Sequence, residues 1–285
     1  MYSGIFDDKN KKDLSGKIEE NPILKIKIMS DNNRAIVRGI ADTFDKAVSV
    51  YFGTGPTDVD EAKRQHDTYV ASLRKFGVEV KELATDNDFP DCCFVEDQVV
   101  ICDGKGLLTI SGHDTRAGEQ DVVKAGIEDD IELTKMTAPA RMDGGDVIKF
   151  GKTYLCGIST RTNKEAAQQL RDFVAPMGYT VHEIAIPSNA LHLKSIASSP
   201  GPGLILAPRV FFDENSFPED AKVLWIPEEE VYGANSIGFD KDVLVAEGFP
   251  HAKKALEDEG FTVHGIPMGQ IEAGDGSLTC LSVFY

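Results

Sequence analysis

One pattern dominates the sequence: an apolar strand pair, a helix and a further strand recur in similar phase along its 285 residues. A chain repeating in this way builds either an open α/β layer or a closed ring of units. One copy runs GGDVIKFGKTYLCGISTRTNKEAAQQLRDFVAPMGYTVHEI, with a hairpin turn at Gly151 and Lys152 and helical periodicity from Asn163 to Val174. A second runs ANSIGFDKDVLVAEGFPHAKKALEDEGFTVHGI, with its turn at Asp240 to Asp242 and its helix at Pro250 to Glu259. Each helix ends at a glycine that opens a β-rich run, Tyr179 to Ile184 and Phe261 to Ile266. Further copies begin near FVEDQVVICDGKGLLTI and LHLKSIASSPGPGLILA. The first unit assembles from RAIVRGI, the helix DVDEAKRQHDTYVASLRKF, the strand VEVKEL and the C-terminal strand LTCLSVFY. A C-terminal strand that completes the first unit favours closure, so the expected fold is a ring of five units.

The repeat carries a chemical consequence. Glu96, Asp143, His192, Asn235 and Cys280 stand near the starts of successive units, 47, 49, 43 and 45 residues apart. In a ring, equivalent positions converge on the axis, so these polar groups are expected to share one pocket.

Cys280 lies where a Gly-containing loop runs into a β-rich terminus. A thiolate there is a strong nucleophile if a base or a lowered pKa supports it, although a cysteine in such a strand is commonly a plain core residue. Strand alternation turns His192 away from Leu191 and Leu193, to serve as a proton-transfer group or as a structural histidine. Asp143 is placed to orient that histidine. Asp146 competes for the role, and DGGD alone reads most simply as a turn. Gly144 and Gly145 permit close backbone approach, and positive φ at either would make substitution costly. Asp91, Glu96 and Asp97 sit beside an apolar strand in FPDCCFVEDQVVI, where carboxylates are costly unless paired. A planar guanidinium matches them. Arg116 and Arg161 are either a clamp for a carboxylate or surface arginines.

Composition removes several classes. A formal charge of −17 with scattered Lys and Arg excludes a nucleic-acid face and suits a cationic small molecule, while also aiding solubility. No run approaches the roughly 18 apolar residues of a membrane span. The first twenty residues lack a basic stretch followed by an apolar run, so neither a secretory signal nor an anchor is expected. Five cysteines, an odd number, imply no disulfide framework and a cytoplasmic setting. No dinucleotide, P-loop, HExxH or paired CxxC motif is present. No linker divides the chain, so one domain over 1–285 is expected, with a partly disordered polar extension at 1–33.

Taken together, RAIVRGI, KRQHDTYV, PDCCFVED, MDGGDVI, STRTN, LHLKS and LTCLSV resemble the dimethylarginine dimethylaminohydrolases. These belong to the wider guanidine-modifying superfamily that includes arginine deiminases and amidinotransferases. The blocks fall in that family's order and spacing from about Arg34 to the C-terminus. The resemblance implies a five-bladed α/β propeller of pseudo-fivefold ββαβ units. It implies Cys280 as nucleophile, His192 as acid and then base, and Asp143 as its assistant. Asp91, Glu96 and Asp97 would hold the guanidinium and amine, and Arg116 and Arg161 the substrate carboxylate. Phe44 stands at the lid, where the family often has leucine, and Gly274 matches a backbone contact. The implied substrate is a methylated arginine, hydrolysed to citrulline and an alkylamine by a monomer or homodimer. No cofactor or metal is implied, although zinc could bind Cys280 and His192 as an inhibitor. Two rivals are an arginine deiminase using the same residues and a non-catalytic ring such as the ribosome anti-association factors.

Overall fold

The computed structural model describes residues 33–285 other than 54, and the expected disorder of the N-terminal extension falls on residues outside that range. Five small sheets succeed one another along the chain, as the repeat requires. The first blade holds β1 (Arg34–Arg38), α1 (Val59–Lys75) and β2 (Glu79–Leu83). The second holds β3 (Val99–Cys102), β4 (Lys105–Leu108), α2 (Gln120–Ile127) and β5 (Glu132–Lys135). The third comprises β6 (Val147–Phe150), β7 (Thr153–Ile158), α3 (Lys164–Val174) and β8 (Thr180–Ala185). A short α4 (Leu193–Ile196) leads to β9 (Leu204–Pro208) and β10 (Lys222–Ile226) in the fourth. The fifth contains β11 (Ser236–Phe239), β12 (Asp242–Ala246), α5 (Pro250–Asp258) and β13 (Thr262–Ile266). After α6 (Gly269–Ala273), β14 (Ser282–Phe284) returns to the first blade.

Each full blade pairs its first two strands antiparallel and its last two parallel, the latter through a helical crossover. In the first blade β14 takes the antiparallel place, with Ala35 opposite Phe284 and Val37 opposite Ser282, while β1 runs parallel to β2. The two ends of the described chain are thereby tied into one sheet. The result is the pseudo-fivefold α/β propeller expected from the repeat.

The helices form where local signals direct them. Asp58 caps α1 by accepting from Glu61 N, acids fill its first turn, and Arg74 and Lys75 its last. Ala62, Gln65, His66, Tyr69, Val70 and Leu73 make its buried face, at the 3–4 spacing of one helical stripe. Asn163 caps α3 through Ala166 N, and Pro250 opens α5 at the position where a missing N–H costs nothing. Gly178 and Gly260 adopt positive φ (80° and 90°) at the turns into β8 and β13, as the sequence predicts.

The fourth blade departs from the repeat: its crossover from β9 to β10 has no helix. The connecting FFDENSFPED lacks an apolar 3.6 period and contains Pro218. Phe212 and Phe217 fill the helix's place, their rings 4.9 Å apart in a core shared with Leu155, Ile184 and Ile205. Its antiparallel partner is reduced to a single bridge between Ser198 and Leu206. Among the described residues no helix is long and apolar enough to cross a membrane, and all five cysteines are free.

Candidate active site

The five polar positions found in the repeat stand at short helical turns of the blade starts, and contacts join them in two groups, Asp143 with His192 and Glu96 with Asn235 through Thr279 beside Cys280; neither cavity that reaches Glu96 is lined by all five. Val95–Gln98 carries Glu96 and Asp97, Gly144–Asp146 follows Asp143, and α4 follows His192. Glu228–Ala234 precedes Asn235, and Thr279–Leu281 contains Cys280. A one-turn helix between loop and strand swings a polar side chain toward the axis while its apolar neighbours stay in the blade core.

His192 Nε2 lies 3.1 Å from Asp143 Oδ2, and Arg161 Nη1 reaches the same oxygen at 3.1 Å. The other oxygen, Oδ1, accepts Gly112 N at 2.8 Å. Burial pushes Asp143 up, but His192, Arg116 and Arg161 together hold it below the usual carboxylate range. Burial likewise opposes the imidazolium of His192, yet Asp97, the hydrogen bond to Asp143, and Asp146 lift its pKa to about 9. The ring is therefore charged at neutral pH. Asp146 is settled differently: it accepts Ser159 Oγ and Thr162 Oγ1, each at 2.6 Å, and Leu193 N at 2.9 Å. Asp143, not Asp146, is the histidine's partner.

The expectation of positive φ at Gly144 or Gly145 is not met; neither is among the glycines with that geometry. What requires glycine is proximity. A Cβ on Gly144 would lie 2.1 Å from Glu96 O, and one on Gly145 would lie 2.7 Å from His192 Nδ1.

Asp97 and Arg116 form a buried ion pair, Nη1 to Oδ2 at 2.5 Å, and Arg116 also engages Glu119 and Phe94 O. Burial disfavours that guanidinium, but Glu119 and Asp97 more than compensate, so it stays charged. Asp97 Oδ1 is taken by Gly145 N. Arg116 and Arg161 are thus interior rather than surface arginines, each bound to an acid of the cluster. Asp97, Asp143 and His192 bring donor atoms within 4.8 Å of one another, the spacing of a metal site. Both carboxylates already answer a guanidinium, Asp97 that of Arg116 and Asp143 that of Arg161.

Cys280 is buried with its Sγ 3.4 Å from Ser277 Oγ. Burial first, then the charges of Glu96 and Asp97, push its thiol up to about 12, so it rests neutral. Its neighbour Thr279 fixes the loop: Thr279 Oγ1 donates to Glu96 Oε2 at 2.8 Å, and Thr279 N to Asn235 Oδ1 at 3.1 Å. Asn235 Nδ2 in turn donates to Lys194 O, and Lys194 Nζ to Glu96 Oε1 at 2.6 Å. Burial pushes Glu96 up, and Lys194 opposes it. Cavities of about 470 and 660 Å³ both reach Glu96 and Lys194, and Cys280 and His192 line neither.

Phe44 is fully buried, edge-on to Phe94 at 6.0 Å, and packs against the backbone face of Gly274, where a Cβ would lie 2.8 Å from its ring. Its bulk enters the core instead of covering the mouth. Asp91 accepts Val48 N at 3.2 Å, and burial raises its pKa despite Arg116. Lys194, Thr279, Glu119 and Asp275 have structural roles here that sequence reasoning did not find. Glu119 carried one usable signal, its i,i+3 spacing from Arg116; the others pair across 41 to 225 residues, where no local pattern reports contact.

No protein-family model matches the chain. The N(G),N(G)-dimethylarginine dimethylaminohydrolase of Streptomyces coelicolor is 32% identical over 259 residues, covering 88% of this chain and 96% of that protein. The one from Pseudomonas aeruginosa is 28% identical over 233 residues, covering 81% and 91%. A crystal structure of the Pseudomonas enzyme, a cysteine-to-serine mutant complexed with citrulline, superposes with TM-score 0.83 at 26% identity, covering 89% of this chain and 99% of that one. The N-terminal domain of a cyanobacterial arginine dihydrolase shares the fold at TM-score 0.78 and 16% identity, covering 88% and 96%. With a relative above 30% identity matched over nearly its whole length, and the same five-sheet architecture, the chain belongs to the dimethylarginine dimethylaminohydrolase family.

Proposed function

We propose that this protein hydrolyses N-omega-methylated arginine to citrulline and dimethylamine or methylamine through a covalent intermediate on Cys280. The observation that carries the reading is that the charge of Asp97 acts on both a charged His192, held by Asp143, and a neutral Cys280 thiol raised first by burial and then by Glu96 and Asp97. A guanidinium placed against Glu96 and Asp97 would offset the two charges that raise the Cys280 pKa, so substrate binding itself favours the thiolate.

Cys280 Sγ, its proton released to solvent as the guanidinium docks, attacks the guanidinium carbon, and the π electrons of one C–N bond move to nitrogen in a tetrahedral adduct. His192, protonated at rest, donates its proton to the departing dimethylamine or methylamine as the C–N bond breaks, leaving a thiouronium on sulfur. The now neutral imidazole takes a proton from water, which attacks the same carbon. Expulsion of the thiolate, with the hydroxyl's remaining proton passing to solvent, then yields citrulline. Asp143 keeps the ring oriented and charged. Asp91 and the main-chain oxygens near Phe44 and Gly274 would hold the α-amine, and Arg116 and Arg161 the α-carboxylate. Zinc on Cys280 and His192 would compete with this cycle as an inhibitor, not a cofactor.

The citrulline complex of the Pseudomonas enzyme and the S-methyl-L-thiocitrulline adduct of a dimethylarginine dimethylaminohydrolase histidine-to-glycine mutant support the substrate class. The test is mass spectrometry of the protein quenched during turnover of asymmetric dimethylarginine. The expected result is an adduct on the peptide containing Cys280, absent in Cys280→Ser along with turnover. Arginine turned over as fast as the methylated substrate would favour a deiminase and end this assignment.

A further inference from the structure

The nucleophile and the acids and histidine around it are buried, with Cys280 8% exposed, Asp91 6%, His192 3% and Asp97 2%, while Arg161 is only partly covered. The two cavities that reach Glu96 are lined by neither Cys280 nor His192, so a substrate's way to that pair runs past a covering segment. Residues 48–53 run between Asp91 and the loop that leads to Cys280, and their attachment is unusual. Val48 N donates to Asp91, Ser49 Oγ to Ala273 O, and Phe52 sits edge-on to Tyr232 at 5.5 Å. Tyr232 OH in turn donates to Gly276 O.

The principal hold is a single carboxylate. Asp275 accepts the backbone N–H groups of four consecutive residues: Val50, Tyr51 (2.9 Å to Oδ2), Phe52 (2.7 Å) and Gly53 (3.3 Å to Oδ1). Successive amides turned toward one anion make a backbone nest, and hydrogen bonds to an ionised acceptor are about twice as strong as neutral ones. Among the described residues no cation pairs with Asp275, so these amides are its partners. Apolar burial does not hold the segment's tip, since Val50 is 73% exposed. Gly53 approaches Ala273 so closely that a Cβ would lie 2.3 Å from its carbonyl oxygen.

Asp275 belongs to the fixed side. Its own N–H donates to Glu272 O, Gly276 N donates to Ile271 O, and it stands five residues before Cys280 at φ 60°. We propose that Asp275 is a positioning residue whose carboxylate latches residues 48–53 over the site, so that breaking and remaking the latch admits substrate and releases product. The proposal rests on the hydrolase reading for its kinetic consequence, but not for the latch itself. Its chemistry is an anion gripping main-chain amides, which leaves the segment's side chains free to vary.

The variants are Asp275→Asn and Asp275→Gly. Both residues tolerate positive φ, so backbone strain does not confuse the outcome. Asparagine turns an amide NH₂ toward backbone N–H donors, and glycine removes the acceptor. Hydrogen exchange of the Tyr51, Phe52 and Gly53 amides is expected to quicken by at least roughly tenfold in both, with β1 unchanged. KM for asymmetric dimethylarginine is expected to rise on the order of tenfold as the closed population falls, while kcat changes by less than about threefold. Ser49→Ala, which leaves the carboxylate in place, is expected to keep KM within about twofold of the unmodified enzyme. Unchanged exchange at 51–53, or faster exchange with an unaltered KM, overturns the latch. The unmodified protein supplies a check that needs no variant: the three amides are expected to exchange well below the free-peptide rate, and free exchange there is fatal to the proposal. If the unmodified protein does not turn over methylated arginine, the hydrolase reading fails, and the exchange data still decide the latch.

Discussion

The two ends of the Asp143–Asp146 turn are equally buried, at 0% exposure each, and carry the same functional group, yet the structure gives them opposite properties. At the Asp143 end, an imidazole and a guanidinium share one carboxylate oxygen, and the acid is held below its usual range. At the Asp146 end, the partners in contact are two hydroxyls and a backbone amide. Burial dominates there and the acid rises to about 6. Burial sets the penalty in both places; the partners determine which protonation state survives. The first end is suited to controlling a proton on His192. The second brackets β7, the loop after it and the start of α4, which keeps His192 at a fixed distance from the blade.

The contrast is breakable, most severely at Asp143. Asp143→Asn keeps the shape but removes the charge, and kcat/KM for methylated arginine is expected to fall by roughly 10²–10⁴, the range of a lost general acid–base contribution. In the unmodified enzyme His192 must be protonated to release the amine, so activity is expected to decline as pH rises through about 9. In Asp143→Asn that limb should move to lower pH, because a raised histidine pKa loses one of its supports. A limb that stays put would separate Asp143 from the histidine's charge and leave Asp97 in control.

Between the two ends, Gly145→Ala places a methyl 2.7 Å from His192 Nδ1 and 3.0 Å from Asp97 Oδ1. The ring must shift, and a displacement on that scale is expected to lower kcat by about 100-fold with the fold intact by circular dichroism. Near-normal kcat would mean the imidazole has freedom that its contacts do not suggest. The smallest effect on turnover is expected at the other end. Asp146→Ala strands the donors Ser159 Oγ, Thr162 Oγ1 and Leu193 N and is expected to cost at least about 3 kcal/mol in denaturant unfolding, at about 1–3 kcal/mol for each donor left unpaired. The molecules that remain folded should keep kcat within about tenfold. A loss of kcat as large as that of Asp143→Asn, with stability unchanged, would erase the distinction between the two aspartates.

Much of this was legible before any coordinates. Asn163 and Pro250 mark helix starts through capping and φ preference, Gly178 and Gly260 mark helix exits, and strand alternation marks the sheets; all are local effects. The repeat legibly placed Glu96, Asp143, His192, Asn235 and Cys280 at equivalent positions. The fourth crossover was misjudged because an aromatic pair from a loop can fill the volume of a helix, and no periodicity announces it. Of the two readings of Gly144 and Gly145, close backbone approach agrees with the structure and positive φ does not: the constraint is a neighbour's carbonyl and ring, not the backbone's own torsion.

The amino-acid order by itself determined the five-unit architecture, the closing role of LTCLSVFY and the set of polar groups that stand at the blade starts. Each follows from patterns that repeat within a few turns or strands. Tertiary structure alone decided that Asp143 rather than Asp146 holds His192, that Arg116 lies in an internal ion pair, that Phe44 packs inward, and that Asp275 grips four amides more than 220 residues away. Those outcomes depend on charge and volume exchanged between blades, and the strength of such interactions depends on distances and burial that arise only when the ring closes.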